Sequence, residues 1–352
     1  MELQRTLNSI GELNEEMMKK AQVRLDGLTK PIGSLGRLED IVKQLVGITG
    51  EMFPRVDKKT VIIMCADNGV VGEGVSSCPK SVTSSVTQNF IKGITGINVL
   101  TRHVGAEIKV VDIGVDDELD CPGIVNKKIR KGTWNMAKGP AMTRAEAIRA
   151  IETGIETVYE LKEQGVTLLG TGEMGVGNTT TSSAVAAVLT GRSIESMVGR
   201  GAGLSSEGLQ NKISVVKRAI EVNRPDADDA LDVLAKVGGF DLAGLTGCFI
   251  GAAACRIPIL IDGFISAAAA LVAVKLKPQV KNYIFPSHGS AEPGSSGIME
   301  ALGFQPILNL GMRLGEGTGA ALAFHIMDAA VAAYTQMGTF GDAQIEQYIP
   351  QE

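Results

Sequence analysis

The chain has 352 residues, of which 44% are hydrophobic, 21% are charged and 4% are aromatic, and 43 are glycine. This length and composition predict a globular protein of about two domains, or one large α/β unit, whose core needs neither disulfides nor a metal ion. The net charge of −5 argues against a broad surface for nucleic acid or membrane. We therefore expect any phosphate group to be held locally, by loops and helix ends.

The cysteines are scattered, odd in number and without a CxxC pair, which indicates a reducing compartment and no zinc site. The amino-terminal segment MELQRTLNSIGELNEEMMKK is polar and amphipathic, unlike a signal peptide. The most apolar region, residues 242–274, is interrupted by Arg256, Pro258 and Asp262, so it does not fit a membrane span. We expect a soluble, cytoplasmic protein.

The predicted elements alternate between helices and strands along the chain. Residues 12–50 indicate helices, with a break at the proline- and glycine-containing stretch 30–36. Apolar, β-prone runs that end in polar or glycine-rich segments predict five strands, at residues 60–66, 107–113, 166–169, 257–261 and 282–285. Helices are predicted between and after them, at residues 144–162, 180–189, 209–223, 264–275 and 320–333.

This alternation predicts a Rossmann-like α/β fold, with a mostly parallel sheet flanked by helices on both faces. Because no long linker is present, we expect the second domain to be assembled from the two ends of the chain. The predicted boundaries are 55–310 for a large catalytic domain, and 1–54 plus 311–352 for a small helical domain. Ligands of such sheets bind outside the carboxyl ends of the strands, where the polar, glycine-rich segments fall.

One of these segments, GTGEMG, matches the GxGxxG pattern of dinucleotide-binding folds. Glu173 would place a negative charge against a pyrophosphate, and the acid about twenty residues further on, Glu195, does not end an apolar strand. A monophosphate cradle at the start of the helix at 180–189 is the favoured alternative, because helix N-termini bind anions. Its donors would be Gly175, Gly177, Asn178 and Thr179. An ordinary helix cap with glycine packing explains the same residues equally well.

A second glycine segment, VGRGAGL, contains Gly201 and precedes a helix that carries Lys212. Lys212 is a candidate phosphate ligand, although a lone lysine on an amphipathic helix is usually solvated. Asp241 and Asp262 end apolar stretches that we interpret as strands. There they would hold ribose hydroxyls or cap turns, and the two interpretations stay open. Neither a GxSxG elbow nor a histidine-rich metal site is present.

The segment MRLGEGTGAALAF places Glu316 between glycines, beside apolar Leu314 and before a helix of small residues. A carboxylate in an apolar setting has a raised pKa, which suits a general base near neutral pH. The alternatives are an ion pair with Arg313 or a cap on the following helix.

Several long motifs, in the same order along nearly the whole chain, resemble the nicotinate-nucleotide–dimethylbenzimidazole phosphoribosyltransferase family. They include DGLTKPIGSLGRLE, MCADNGV, GVTLLGTGEMGVGNTTT, NKISVVKRAI, LAKVGGFDLAGLTG, PSHGSAE and MRLGEGTGAALA. The resemblance implies transfer of ribose 5-phosphate from nicotinate mononucleotide to a lower-ligand base, which gives an α-riboside 5′-phosphate in cobamide biosynthesis. It also implies a large parallel-sheet domain, a small helical domain from both termini, a homodimer, and no metal or redox cofactor.

The resemblance also implies roles for individual residues. Glu316 stands where the family has its general base, and the phosphate pocket corresponds to residues 175–179, Gly201, Lys212 and Ser290. Glu173 is the candidate for stabilising the positive charge that builds on the ribose when the glycosidic bond breaks. Nucleic acid and membranes are not implied as partners.

The base pocket is implied to involve residues 77–90, together with Arg313 and Leu314. Cys78 and Val86 are less polar than the serine and glutamine with which relatives hold benzimidazole, and Asn68 stands where the family often has histidine. Fewer hydrogen-bonding groups relax the choice of base. Dimethylbenzimidazole or a related base is expected. An adenine or phenolic base, with the chain as one subunit of a heterodimer, remains the alternative.

Overall fold

The computed structural model describes residues 2–347, and a six-stranded parallel sheet forms its centre. The strands are β1 (Lys59–Ala66), β2 (Ala106–Gly114), β3 (Ile124–Asn126), β4 (Leu168–Met174), β5 (Ile259–Ile261) and β6 (Ile284–Pro286). Their spatial order is β3-β2-β1-β4-β5-β6, and each neighbouring pair is parallel. This is the Rossmann strand order, in which the direction of winding reverses between β1 and β4. The predicted fold class is confirmed.

Helices cover both faces of this sheet. They are α1 (Glu2–Ser9), α2 (Glu15–Asp26), α3 (Arg37–Thr49), α4 (Val82–Lys92), α5 (Gly96–His103), α6 (Arg144–Glu163), α7 (Asn178–Thr190), α8 (Ile194–Met197), α9 (Ser206–Asn223), α10 (Ala230–Val237), α11 (Phe240–Cys255), α12 (Phe264–Leu276), α13 (Pro293–Leu302), α14 (Thr318–Gln336) and α15 (Phe340–Ala343). In the described part of the chain, no helix combines the length and apolar character that crossing a membrane requires.

The central strands are apolar because both of their faces are covered. All eight residues of β1 are buried, as expected for a strand in the middle of a parallel sheet. β4 extends to Met174, well beyond the strand predicted at 166–169. The glycines that indicated a loop lie inside the strand: a Cβ on Gly170 would stand 3.1 Å from the side chains of Ala320 and Phe324 on α14. Glycine here lets a helix approach the sheet closely.

The prediction that Asp241 ends a strand is wrong, because Asp241 lies in the first turn of α11. This helix packs against α6, α12 and β1, and nearly all of its residues are buried. A helix that is apolar on every side shows no periodic stripe, so its sequence resembles that of a buried strand. Asp262, in contrast, does follow strand β5 as predicted.

Helices from the two ends of the chain meet on one side of the sheet. α3 packs against both α2 and α14, and Arg24 on α2 donates to the carbonyl of Tyr334 on α14 at 3.1 Å. α14 also packs against β1, β4 and β5. The division into 55–310 and 1–54 plus 311–352 therefore remains a prediction, and its residues Met1 and 348–352 lie outside the described residues.

Candidate active site

A cavity of about 570 Å³ lies at the carboxyl edge of the sheet. The ends of β4, β5 and β6 and their following loops line it, together with the segment that leads into α4. This is the position at which open parallel sheets bind ligands. Most of the predicted site residues line it: Cys78, Val86, Glu173, Gly175, Gly177, Asn178, Thr179, Gly201, Asp262, Ser290, Arg313, Leu314 and Glu316. Lys212 and Asp241 lie behind the cavity wall.

Glu173 reaches the cavity from strand β4 and is only 8% exposed. The Asn178 Nδ2 at the start of α7 donates to its Oε2. Burial raises the pKa of Glu173 to about 8, and the negative charges of Asp241 and Asp262 act in the same direction. A Cβ on Gly315 would collide with the Glu173 Oε1, so glycine at this position leaves room for the carboxyl group.

Glu316 reaches the same cavity from a tight turn. It has a φ of 62°, between Gly315 at 84° and Gly317 at 96°. Left-handed backbone at a non-glycine residue is uncommon and is often found at functional sites. Its Oε2 accepts from the backbone N–H of Ile97 at 3.1 Å, near the start of α5. Burial raises the pKa of Glu316.

The turn that carries Glu316 lies directly over β4. A Cβ on Gly172 would collide with the Glu316 carbonyl oxygen, so the close approach of the two segments requires glycine in the strand. Arg313 does not supply the ion pair considered for Glu316; its Nη1 donates to the Gly201 carbonyl at 3.3 Å.

Asp262 caps α14, the role that the sequence analysis had considered for Glu316. Its Oδ2 accepts from the backbone N–H of Gly317 at 3.0 Å, and its Oδ1 accepts from that of Gly319 at 2.7 Å. Burial raises the pKa of Asp262, while these N–H donors and His288 favour its ionised form. Asp262 thus fixes the start of the helix that follows the Glu316 turn.

The start of α7 and the glycine segment around Gly201 also line the cavity. Lys212 is fully buried, so the solvated-lysine interpretation is wrong. Its Nζ donates to the Thr179 Oγ1 at 2.7 Å and to the Gly199 carbonyl at 3.0 Å. Burial lowers the pKa of Lys212 to about 8. A helix N-terminus backed by a lysine suits a phosphate group.

Part of the cavity lining is apolar. Val75, Val82 and Val86 contribute to it, with Cys78 and the largely exposed Leu314. A planar ring of low polarity fits such a wall better than a charged group does.

The sequence analysis missed several cavity residues, which are Arg200, Phe264, Ile265, His288 and Glu292. Phe264 and Ile265 come directly after Asp262 and Gly263. The rule that the carboxyl ends of parallel strands share one edge would have included them. Arg200 directly precedes Gly201, and Glu292 follows Ser290 by two residues, so each lies in a segment that the sequence analysis had already singled out.

Comparison with known proteins agrees with this geometry. A family described as "Phosphoribosyltransferase" matches residues 10–345. A relative from Ruminiclostridium cellulolyticum, named nicotinate-nucleotide–dimethylbenzimidazole phosphoribosyltransferase, is 72% identical over 352 residues, which cover 100% of both chains. A relative of the same name from Acetivibrio thermocellus is 73% identical over 346 residues, or 98% of this chain and 99% of the relative. The chain belongs to this phosphoribosyltransferase family.

Family membership is also evident in three dimensions. The crystal structure of CobT from Thermus thermophilus is similar with a TM-score of 0.91 and 40% sequence identity, over 95% of this chain and 100% of that chain. The resemblance carried by the sequence motifs is therefore confirmed over the whole fold, and so is the classification of the chain as a phosphoribosyltransferase enzyme.

Proposed function

We propose that this chain transfers the ribose 5-phosphate of nicotinate mononucleotide to a lower-ligand base, with release of nicotinate, in cobamide biosynthesis. One observation carries the proposal. Two carboxyl groups from separate segments, Glu173 and Glu316, line a single cavity that also contains a helix N-terminus backed by Lys212. Relatives that share 72% and 73% of their residues with this chain have the corresponding name.

The reaction breaks the bond between ribose C1′ and the pyridinium nitrogen, whose electron pair returns to nicotinate. The unprotonated ring nitrogen of the incoming base forms the new bond from the opposite face, and the proton on the other ring nitrogen moves to the Glu316 carboxylate. Positive charge develops on the ribose in between, as in glycoside hydrolysis. An ionised Glu173 stabilises that charge electrostatically.

The raised pKa of Glu316 suits proton acceptance, whereas the raised pKa of Glu173 makes its ionisation depend on the bound substrate. Glu316 is disfavoured as a free anion by burial, so it accepts a proton more readily than an exposed carboxylate does. Glu173, with a pKa near 8, becomes ionised more readily when the cationic pyridinium ring of the substrate is beside it.

The residues at the start of α7 and around Gly201 position the substrate by its phosphate group. The backbone N–H groups of Gly177 and Thr179, the Gly201 segment and Ser290 hold the 5′-phosphate in this proposal, which is supported by their shared place in the cavity lining. Lys212 acts from behind, through the Thr179 Oγ1 and the Gly199 carbonyl. A fixed phosphate holds C1′ in line between leaving group and nucleophile, which removes much of the entropic barrier.

The wall that contains Cys78, Val86 and Leu314 supports two classes of base. Dimethylbenzimidazole or a related base is the main proposal. A phenolic or adenine base is the alternative, because an apolar wall with few hydrogen-bonding groups discriminates weakly among planar rings.

The test is direct. The protein is incubated with nicotinate mononucleotide and, separately, dimethylbenzimidazole, benzimidazole, adenine, phenol and p-cresol, and the products are identified by mass spectrometry. An α-riboside phosphate with release of nicotinate supports the reaction, and the relative rates identify the base. Absence of any riboside product with every base contradicts the proposal.

Assembly and location are part of the same proposal. A homodimer, or a heterodimer with a paralogous subunit, is supported by exposed apolar side chains beside the cavity, with Leu310 60% and Leu314 61% exposed. Light scattering after size-exclusion chromatography measures the mass in solution. A monomer at micromolar concentration contradicts the proposed dimer. The five cysteines are free, which supports a cytoplasmic location.

A further inference from the structure

Asp241 does not line the cavity, although holding ribose hydroxyls was one of the two interpretations that the sequence left open for it. It is fully buried in the first turn of α11, behind β4. Its Oδ1 accepts from the backbone N–H of Leu242 at 2.9 Å, and its Oδ2 accepts from the side-chain amides of Asn178 at 3.1 Å and Asn68 at 3.5 Å. Burial raises the pKa of Asp241 to about 6. Burying a carboxyl group is costly unless it is hydrogen-bonded, and these three donors supply the hydrogen bonds.

Asn178 connects this buried acid to the active site. Its Nδ2 donates to the Asp241 Oδ2 and also to the Glu173 Oε2. An amide nitrogen carries two hydrogens, so one side chain accounts for both contacts. Two carboxyl groups, one in the cavity wall and one behind it, thus share a single donor at the start of α7.

Two glycines leave the space that this arrangement occupies. A Cβ on Gly175 would stand 2.5 Å from the Asp241 Oδ2 and 3.0 Å from the Asn68 Nδ2. A Cβ on Gly239 would stand 2.5 Å from the Asn68 Oδ1. Gly175 was expected to serve the phosphate cradle, but the direction of its missing side chain is toward Asp241. The glycine therefore has a second reason to be there, on the side away from the cavity.

We propose that Asp241 is a positioning residue for the reaction, which acts through Asn178 to direct the Glu173 carboxyl group into the cavity and holds a second negative charge behind it. Asn68 supports Asp241 from the end of β1. This inference rests on the proposed function, because it assigns the purpose of the arrangement to the ribosyl charge that Glu173 faces.

The groups around Glu173 determine how it should respond to substitution. Those that face it are Asp241 on α11, Asp262 after β5, Cys65 on β1, Asn178 on α7, and the backbone N–H of Glu316 before α14. His288 faces Asp262. The negative charge of Asp241 raises the pKa of Glu173, whereas the hydrogen bond from Asn178 lowers it. The charge of Asp262, and not that of Asp241, contributes to the raised pKa of Glu316. Substitutions of Asp241 and of Asn178 should therefore shift the pKa of Glu173 in opposite directions.

The experiment is the pH dependence of kcat, at saturating nicotinate mononucleotide and base, for the parent, Asp241→Asn and Asn178→Ala. Loss of an ionised carboxylate at low pH gives an acid limb. We expect this limb to move by about one pH unit to lower pH in Asp241→Asn, because a nearby like charge is removed. In Asn178→Ala it should move to higher pH, because a donor to the carboxylate is lost.

Asp112→Asn is the matched control. Asp112 is an equally buried acid on β2, where Lys128 Nζ lies 3.1 Å from its Oδ2. This variant should lose thermal stability and keep the parental acid limb, which separates a structural defect from an effect on Glu173. Acid limbs of Asp241→Asn and Asn178→Ala that coincide with the parental limb, or that move in the same direction, would overturn the inference.

Failure of the proposed function is recognised separately. If the parent forms no riboside with any base, the reaction assignment fails. The Glu173 carboxyl is then titrated by NMR in ¹³C-labelled parent and variants, with Glu173→Gln to assign its signal. A Glu173 pKa that falls in Asp241→Asn and rises in Asn178→Ala supports the positioning role of Asp241 in the absence of turnover. An unchanged Glu173 titration in both variants contradicts it.

Discussion

Glu173 and Glu316 line the same cavity but are held by different kinds of structure. Glu173 projects from a central strand, is 8% exposed, and receives a hydrogen bond from the first residue of α7. Glu316 sits in a turn of three left-handed residues, is half-buried, and accepts one hydrogen bond from the start of α5. The strand gives a fixed carboxyl group with little solvent around it, whereas the turn gives a carboxyl group that an incoming ligand can reach. A fixed carboxyl group that ionises beside a cationic substrate suits electrostatic stabilisation, and an accessible one suits proton transfer.

Replacing the accessible carboxyl should have the largest effect. Glu316→Gln removes the proton acceptor, so kcat should fall by about 10²–10⁴-fold. The dissociation constant for nicotinate mononucleotide, measured by calorimetry, should stay close to the parental value because the phosphate end is untouched. Glu207→Gln, an exposed acid at the start of α9, is the control. Near-parental kcat in Glu316→Gln would remove Glu316 from the mechanism.

Replacing the fixed carboxyl should lower kcat by about 10²–10³-fold, the range for removal of one preorganised electrostatic group. Glu173→Gln keeps the shape of the side chain and its contact with Asn178, so the loss reports the charge. The measurement is single-turnover release of nicotinate, which follows bond cleavage directly. An unchanged cleavage rate with a slower second step would mean that Glu173 serves the incoming base instead.

The contact between the two regions can be broken at Gly172. A Cβ in Gly172→Ala collides with the Glu316 carbonyl, so we expect a loss of about 1–3 kcal/mol of unfolding free energy. Because the turn must move, kcat should fall as well. Denaturant unfolding and kcat are compared with those of Gly139→Ala, where the added Cβ meets open space. Parental kcat in Gly172→Ala would show that the strand and the turn are independent.

The smallest expected effect is on the thermal stability of Glu173→Gln, and it depends on pH. Burial raises the pKa of Glu173 from its ordinary value of 4.5 to about 8, so the unfolded chain releases this proton at lower pH than the folded chain does. The stability that Glu173 contributes to the folded chain is therefore lost as the pH rises between these two pKa values. Glutamine does not titrate, so the Tm of Glu173→Gln should rise relative to the parent between pH 5 and about 8. A difference in Tm that is constant with pH would contradict the raised pKa.

Much of the fold and of the cavity could be predicted from local sequence. The apolar runs at β1 and β5 indicated where parallel strands end, and ligands bind at that edge. Asp262 was placed there for this reason, whereas Glu316 was singled out by its glycine-flanked motif. Local sequence also carried the family motifs, because the cavity walls are formed by short continuous segments.

The sequence by itself determined the fold class, the family and most of the cavity-lining residues, since each depends on periodicity or on motifs of neighbouring residues. Only the tertiary structure decided that α11 is a helix, that Lys212 is buried behind Thr179, and that Asp241 stands behind Glu173. These facts depend on which segments pack together. A uniformly apolar stretch has no periodic signal, and the ionisation of a carboxyl group depends on burial and on charges that are far away in sequence.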